Sequence, residues 1–562
     1  MKNILSKAAI AALSLTIALS VCNFSASAAE SPVTTSSVYK IYSDNTTENN
    51  IITFADFCVE YFGFENVEPA ENTFSDLDNS SANVLRLVAL KYISGCGNGC
   101  IGTYMTEDRA YIILSRILKD YIDVSKAEAA VLAPNVEENM CYPDYWISKS
   151  ENPYSVLMTS KEIERLNSSI LNVKETNMAD LSALPESFDG KALAKELSSF
   201  ASPENHYIDG RAVSETYYEQ IRQNISNADV SPNMSMSYGF TTNYTVMKAY
   251  PYAEFLSDDP NDSEWDDFVN SGIRCNEPIV IYFFTADKKF AYVRSPICSG
   301  WVSSDDIAVC QSKSQWQSAQ QTDDFLVVTG DKIYLEPSSA DPELSEKVLT
   351  MGTVLKLKTP ENPDMRIINR TPWNNYVVAI AGRNDDGSYI EKTALIPMNR
   401  DVHKGYLEFT QAGIIKQAFK CLGNRYGWGG MLKSPDCSGY ALDVYKCFGL
   451  DIPRNTTWQA LMPVQVDDIG DLSAEEKTNA LKNTPMGAII QFNGHEMIYL
   501  GESGGRLYTI NDVSSLKNSE NVQAGVLRIR SVIVNDLTAI RPNGHTWFED
   551  MNKVIVPWKI AK

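Results

Sequence analysis

A cysteine placed where an irregular glycine-rich stretch gives way to a helix constrains this chain more than any other feature. Thr410 is a good N-cap for a helix whose apolar face is Ile414, Ile415, Ala418, Phe419 and Leu422, and Gly423 is a natural stop. Tyr426-Gly427-Trp428-Gly429-Gly430 follows, then Pro435-Asp436-Cys437-Ser438-Gly439-Tyr440. Helical spacing resumes through Leu442, Tyr445 and Phe448 and ends near Gly449. Cys437 therefore falls at or near a helix N-terminus, where unpaired N–H groups and the positive end of the dipole favour a thiolate.

A nucleophilic cysteine needs a base. Residues 488–492 read as a strand, Asn493-Gly494 is a strong hairpin turn, and the strand resumes at His495. Glu502-Ser503-Gly504 makes a three-residue loop, after which the chain returns from Arg506 to Asn511. That register sets residue 501 opposite 505 and 495 opposite 511, so the two-residue period puts His495 and Asn511 on one face. An amide carbonyl accepting from the imidazole would fix its tautomer, as in a Cys-His-Asn arrangement. A one-residue bulge would place Asp512 there instead. Taken singly, a buried cysteine is usually just small and apolar, and a lone hairpin histidine is usually structural. Taken together, the pieces point to chemistry.

With 562 residues the chain exceeds what one core supports, so several domains are expected. The 71 acidic residues outnumber the 49 basic ones for a net charge of -22, which argues against coating nucleic acid or docking on anionic lipid. Residues 1–29 carry Lys2 and Lys7, an apolar run from Ala8 to Val21, and the small residues Ala26-Ser27-Ala28-Ala29. This is the pattern of a cleaved secretion signal, and the run is shorter than the roughly 20 residues that span a bilayer. Val21 before Cys22 disfavours a lipid-anchored cysteine. The mature chain is expected to be secreted, extracellular or associated with the cell wall. Export permits disulfides, and Cys96 and Cys100 are close enough to close a small loop. The four histidines lack zinc-ligand spacing, so no metal and no cofactor are expected.

The fold class expected is multi-domain α+β. Residues 30–135 read as a helical region, with apolar stretches at Val84–Leu90 and Ala110–Leu118 flanking a glycine-rich turn at 95–102. The stretch through Phe74-Ser75-Asp76, Ile93-Ser94-Gly95 and Met105-Thr106-Glu107-Asp108-Arg109-Ala110 resembles a surface-layer homology repeat, with Thr106-Glu107 standing where that repeat has Thr-Arg. Such a repeat implies binding of a cell-wall polymer. A small helical bundle without a ligand is the alternative. Residues 136–232 are helical again, and 233–315 and 316–402 break into short β-rich runs that predict two small barrels. The Asp287-Lys288-Lys289 turn followed by Gly300-Trp301-Val302 resembles bacterial SH3-like wall modules.

Residues 405–515 resemble the NlpC/p60 family of papain-like cell-wall cysteine peptidases. The family pattern occurs in order as residues 426–430, 436–439, Pro453-Arg454-Asn455 and Gly494-His495. The upstream residues are similar to a branch with a helical stabilising domain and two SH3-like domains before a peptidase domain, here 403–562. The resemblance implies a hydrolase of the γ-D-glutamyl–diamino acid bond in peptidoglycan stem peptides or muropeptide fragments with a free N-terminal L-Ala. It implies Cys437, His495 and Asn511 as the catalytic set, although the third position is often His in that branch. It further implies that Asp436 and Ser438 bind the substrate ammonium with Tyr426 closing the pocket. The first SH3-like domain would wall that pocket off through an unassigned residue between 258 and 302. An amidase cutting between the lactyl group and L-Ala, or a non-catalytic wall-binding protein, are the competing readings.

Overall fold

The computed structural model describes residues 131–561 apart from 361, 363 and 518–525, and before them 50–62, 67–77, 81–90 and shorter runs between 42 and 117. The signal-like residues 1–29, the turn residues 94–99, Thr106-Glu107 and Cys96 lie outside the described residues. The chain divides into two compact units, Met1–Val131 and Leu132–Lys562.

In the first unit, helix α1 (Ile51–Phe62) and helix α2 (Ala82–Ala89) share an apolar core. Val84, Leu85 and Leu87 bury the predicted face of α2, and Ile113, Leu114 and Ile117 join the same core.

The second unit begins with helices that have no core of their own. Thr159 and Glu162 form a reciprocal capping box that starts α3 (Ser160–Leu171). Its apolar stripe, Ile163, Leu166 and Ile170, packs into the same core as Phe409 and Phe448. Helices α4 (Gly190–Leu197) and α5 (Glu215–Ser226) turn Ala194, Tyr218, Ile221 and Ile225 instead onto Phe283 and Trp301. Burial on neighbouring elements, rather than propensity, holds these short helices.

Strands β1 (Ser237–Thr241), β2 (Thr245–Lys248), β3 (Val269–Ile273), β4 (Pro278–Phe284), β5 (Phe290–Arg294), β6 (Ser299–Ser303) and β7 (Ile307–Val309) form one antiparallel sheet in the order β7-β1-β4-β5-β6-β2-β3. One face buries Ile281, Val293 and Val302, and the other gives Phe283, Tyr292 and Trp301 to α5. Alternation along β5 and β6, with a bulge between Ile281 and Phe283 of β4, lets one sheet serve two cores at once. Trp301 is core, as the alternation requires. Helix α6 (Lys313–Gln320) then lays the indole of Trp316 against β1, its Nε1 donating to the Gly239 carbonyl at 3.1 Å.

The next module is built of β8 (Phe325–Val328), β9 (Lys332–Tyr334), β10 (Val348–Thr350), β11 (Val354–Lys356), β12 (Asn375–Arg383), β13 (Tyr389–Pro397) and β14 (Val402–Lys404). These pair as β11-β8-β14, β9-β10 and β12-β13 around Leu326, Val328, Leu355, Val378 and Ile396.

The C-terminal domain opens with α7 (Gln411–Phe419), capped by Thr410 as expected, and α8 (Cys437–Lys446), capped by Asp436. A six-stranded antiparallel sheet, with helix α9 (Ala474–Lys482) between its first two strands in the chain, runs in the order β15-β20-β16-β17-β18-β19, where β15 is Val464–Asp468, β16 Ile489–Phe492, β17 His495–Ser503, β18 Arg506–Lys517, β19 Val526–Asp536 and β20 Lys553–Ile560. Tyr440, Val444 and Tyr445 of α8 pack with Ile489, Ile498, Ile510 and Val532 on one face of this sheet, while Trp547, Phe492, Met497 and Tyr499 fill the other.

The first sheet meets the cysteine domain backbone to backbone. Gly429 and Gly430 have φ of 63° and 100°, a region favouring glycine. A Cβ on Gly430 would stand 2.4 Å from the Gly272 nitrogen, and one on Gly429 2.3 Å from the Val269 carbonyl. Tyr244 donates to the Gly430 carbonyl at 2.7 Å. The glycine pair lets β3 lie directly against the loop that leads to Cys437.

Trp146 is fully buried in the core beneath α7, its Nε1 donating to the Met140 carbonyl at 2.8 Å and its ring 5.2 Å from that of Tyr508. Trp146→Ala is expected to destabilise the second unit by about 3–5 kcal/mol, the usual cost of removing a buried aromatic. A urea titration followed by tryptophan fluorescence measures it, and an unchanged midpoint would show the indole to be dispensable.

Candidate active site

Asp436 precedes α8 with extended backbone, and its Oδ1 accepts from the Gly439 N–H at 2.8 Å. This cap fixes where the helix starts, and Cys437 is its first residue. Cys437 is a free thiol, 8% exposed, and the backbone N–H of Glu496, the residue after His495, is the one neighbour that favours its ionised form.

His495 Nε2 meets Asn511 Oδ1 at 2.9 Å. Asn511 is fully buried, and its Nδ2 donates to Asn535 Oδ1 at 2.8 Å and Thr509 Oγ1 at 3.1 Å. With the amide nitrogen committed twice, its oxygen must face the ring and accept from Nε2–H. Nδ1 is left as the imidazole nitrogen without this partner. Phe492 and Trp547 hold the ring, with centroids 5.3 and 5.1 Å away.

The expected register is corrected. Ser503 pairs with Arg506 across a Gly504-Gly505 turn, and after a bulge at Leu500 the ladder sets Tyr499 opposite Thr509 and Ile498 opposite Ile510. The two glycines, with φ of 57° and 80°, make a tighter turn than the three-residue loop inferred from sequence. The bulge and the shorter turn together displace the pairing by an even number of residues, so His495 and Asn511 keep the same face and meet diagonally. Asp512 points to the opposite face, toward α8, fully buried and with neither carboxylate oxygen partnered. Burial pushes its carboxyl well above the usual range.

The helix N-terminus does not by itself make a thiolate here. Burial pushes the Cys437 thiol well up, and the nearby Asp436 and Glu496 carboxyls push the same way. Burial also lowers His495 to about 4 against the opposing hydrogen bond from Asn511. Burial thus works against the charged form of both groups.

Arg454, in the Pro453-Arg454-Asn455 stretch, has no role legible in the sequence, and it proves central. Its guanidinium grips Asp436 with both ends, Nη1 to Oδ1 at 3.0 Å and Nη2 to Oδ2 at 2.7 Å, and Nη1 reaches Ser438 Oγ at 3.0 Å. Its Nε donates to Ser271 Oγ of β3 at 2.8 Å. Asp436 Oδ2 accepts in addition from the Gly429 N–H at 3.0 Å. Burial alone would raise the Asp436 carboxyl, and Arg454 with the two backbone donors overrides it and holds it below the usual range. Tyr426, Asp436 and Ser438 therefore gather beside Cys437, all buried.

The wall residue left unassigned between 258 and 302 has a candidate in Trp265, beside β3. Its ring stacks on Tyr426 at 6.1 Å with 6° between planes and on Trp428 at 5.5 Å, and the Arg530 guanidinium lies 4.8 Å over it. Asp262 pairs with Arg530 and with Arg528, and Glu264 with Arg425 at 2.6 Å. A run of Asp, Glu and Trp in a surface loop carries no signature that would have marked it.

Residues 423–523 match the NlpC/P60 family model, and residues 255–303 match the model of an SH3 domain of the SH3b1 type. Among solved structures the fold is similar to a novel NlpC/P60 endopeptidase from Photobacterium damselae subsp. piscicida at 15% identity and TM-score 0.58, over 75% of this chain and 97% of that one. A second is an NlpC/P60 family protein from Bacillus cereus ATCC 10987, at 17% identity and TM-score 0.37 over 57% of this chain and 100% of that one. A comparison with curated proteins gives no match. The chain carries a C-terminal domain of the NlpC/P60 family, a family of cysteine peptidases, behind an SH3 domain.

Proposed function

We propose that this protein is a secreted cysteine peptidase that hydrolyses the γ-D-glutamyl–diamino acid bond of peptidoglycan stem peptides bearing a free N-terminal L-Ala. The observations that carry the reading are the Asn511–His495 bond at 2.9 Å and a free cysteine as the first residue of α8, in the order of the family pattern. With Nε2–H held by Asn511, Nδ1 is the nitrogen that takes the Cys437 proton as the sulfur attacks the γ-carbonyl. The negative oxygen of the tetrahedral intermediate falls to N–H groups at the helix start, Cys437's own among them. His495 then protonates the leaving amine, and water drawn to the same imidazole hydrolyses the thioester.

The ammonium of the stem peptide would share Asp436 with Arg454, next to Ser438 and under the Tyr426 hydroxyl. An ammonium tethered one residue from the nucleophile positions the carbonyl two residues along the peptide. Trp265, stacked on Tyr426, would close this end against a longer chain. The pattern of residues 1–29 supports export.

Cys437→Ala is expected to abolish release of L-Ala-γ-D-Glu from L-Ala-γ-D-Glu-diaminopimelate, followed by mass spectrometry, and undiminished release would reject the mechanism. Acetylating the substrate's N-terminus should suppress cleavage by the wild-type protein. Equal cleavage of masked or sugar-linked stems would instead indicate an amidase-type hydrolase. Asn511→Ala should lower kcat by roughly 10²-fold, the scale of misplacing a reacting group by about 1 Å, with little change in KM.

A further inference from the structure

Trp265 sits in the segment between β2 and β3, and the two aspartates that follow it fix that segment at its base. Asp266 is fully buried. Its Oδ1 accepts from the Tyr252 hydroxyl at 2.6 Å and from the Phe268 N–H at 3.1 Å, and its Oδ2 lies 2.8 Å from Lys248 Nζ of β2. Asp267 is half-buried. Its Oδ1 accepts from Trp265 Nε1 at 2.8 Å, and its Oδ2 accepts from the Asp258 N–H at 2.9 Å. His206 Nε2 lies 3.4 Å from the same Oδ2, with the His206 ring packed on Phe268 at 4.7 Å between centroids. The Asp267 N–H donates in turn to the Leu256 carbonyl at 2.9 Å.

Stacking alone leaves the indole a freedom that this contact removes. Planes 6° apart press Trp265 against Tyr426, but a parallel stack only weakly resists sliding or turning of one ring over the other. A hydrogen bond at the ring edge fixes both. Indole Nε1 can only donate, and a carboxylate partner makes the bond charge-assisted. The carboxylate of Asp267 also serves the Asp258 N–H, because each of its oxygens accepts. An asparagine in its place would have a single acceptor, so one of the two donors would face an NH2 group.

We infer that Asp267 is a positioning residue that sets specificity at the ammonium end of the site: it locks the Trp265 indole over Tyr426 and so keeps out stem peptides that extend beyond their N-terminal L-Ala. The inference rests on the peptidase reading, in which the substrate ammonium lies beside Asp436 and under Tyr426. Asp267 touches no reacting group and acts through Trp265. With its second oxygen it closes the base of the loop at the Asp258 N–H, so ring and loop are set by one carboxylate.

The direction of the effect separates this role from a merely structural one. A stem carrying one more residue, or a sugar, on its L-Ala has to pass the ring that covers Tyr426. With the indole free to slide, that space opens, and the protein gains substrates that the wild type rejects. Specificity here comes from an obstacle as well as from an attraction. General loosening of the fold would instead cost activity on every substrate.

The test uses the full-length protein and two peptides, L-Ala-γ-D-Glu-diaminopimelate and the same peptide with one added N-terminal glycine, which keeps an ammonium and so probes the wall alone. Asp267→Ala should lower the preference for the shorter peptide, as a ratio of kcat/KM, by about tenfold, the scale of one hydrogen bond to a charged group. The change should appear as a lower KM for the longer peptide. Asp267→Asn, close to the native side chain in shape, should lower the ratio too, so the outcome does not hang on how Asp267→Ala folds. Trp265→Phe keeps a ring on Tyr426 and removes the indole N–H, and in that background Asp267→Ala should change the ratio by no more than about twofold. Fluorine NMR of protein labelled with 5-fluorotryptophan reads the indole directly. Of nine tryptophan resonances, the one missing from Trp265→Phe belongs to Trp265 and should move in Asp267→Ala. An unmoved resonance, an unmoved ratio, or the same loss in both backgrounds would overturn the inference. Loss of turnover in Cys437→Ala together with an unmoved ratio in Asp267→Ala overturns this inference alone. Turnover that survives in Cys437→Ala overturns the peptidase reading instead, and the fluorine resonance still decides whether Asp267 holds the indole.

Discussion

The pairing of Arg454 with Asp436 is the interaction on which the site depends. One guanidinium holds the cap of α8 at two oxygens, touches Ser438, and reaches across to Ser271 on the SH3 domain's strand. Both partners are nearly excluded from water. Such a pair offers little net stability over a well-packed apolar replacement, but removing one partner strands the other and costs about 3–5 kcal/mol. Its contribution is therefore positional. Asp436 starts the helix, the helix start places Cys437, and the same carboxylate fixes the Gly429 N–H of the loop that β3 lies against. Displacing any one of these would move the others.

The fold was legible in the sequence where local rules act alone. Thr410 and the Thr159–Glu162 box start helices as their residue types require, and the short β-rich runs from 237 to 309 pair into one sheet. The histidine and asparagine come together although the inferred ladder is displaced, because face depends only on parity and the displacement is even. What sequence could not supply is contact between distant segments. Nothing local marks Arg454 as the partner of Asp436, or Trp265 as a lid on Tyr426, since each pair is closed by the way separate elements dock. The helices of 160–226 illustrate the same limit. Their amphipathic pattern gives their inward faces but not that one packs under α7 and another against Trp301.

Electrostatics at the sulfur shows a similar contest between local and tertiary effects. A helix start is worth a fraction of a kcal/mol to about 2 kcal/mol toward an anion. Removing a thiolate from water opposes it with a larger penalty, and two neighbouring carboxyls add to that. Burial lowers the histidine as well, against the hydrogen bond from Asn511. The dipole therefore acts against burial at the sulfur rather than alone.

The wall around the pocket can be weighed in the same way. The Arg425–Glu264 pair is substantially exposed, and pairs of that kind contribute about 0–1 kcal/mol. Asp262, by contrast, is almost fully shielded under Arg528 and Arg530. The ring of Trp265 lies between that arginine cluster and Tyr426, and aromatic stacking with cation–π contact adds about 0.5–1.5 kcal/mol to each pairing beyond simple burial. The aromatic layer and the shielded Asp262 pairs hold the wall together, and the exposed Arg425–Glu264 pair adds little. A wall built this way weakens only modestly in salt, because the contacts that carry it are screened least.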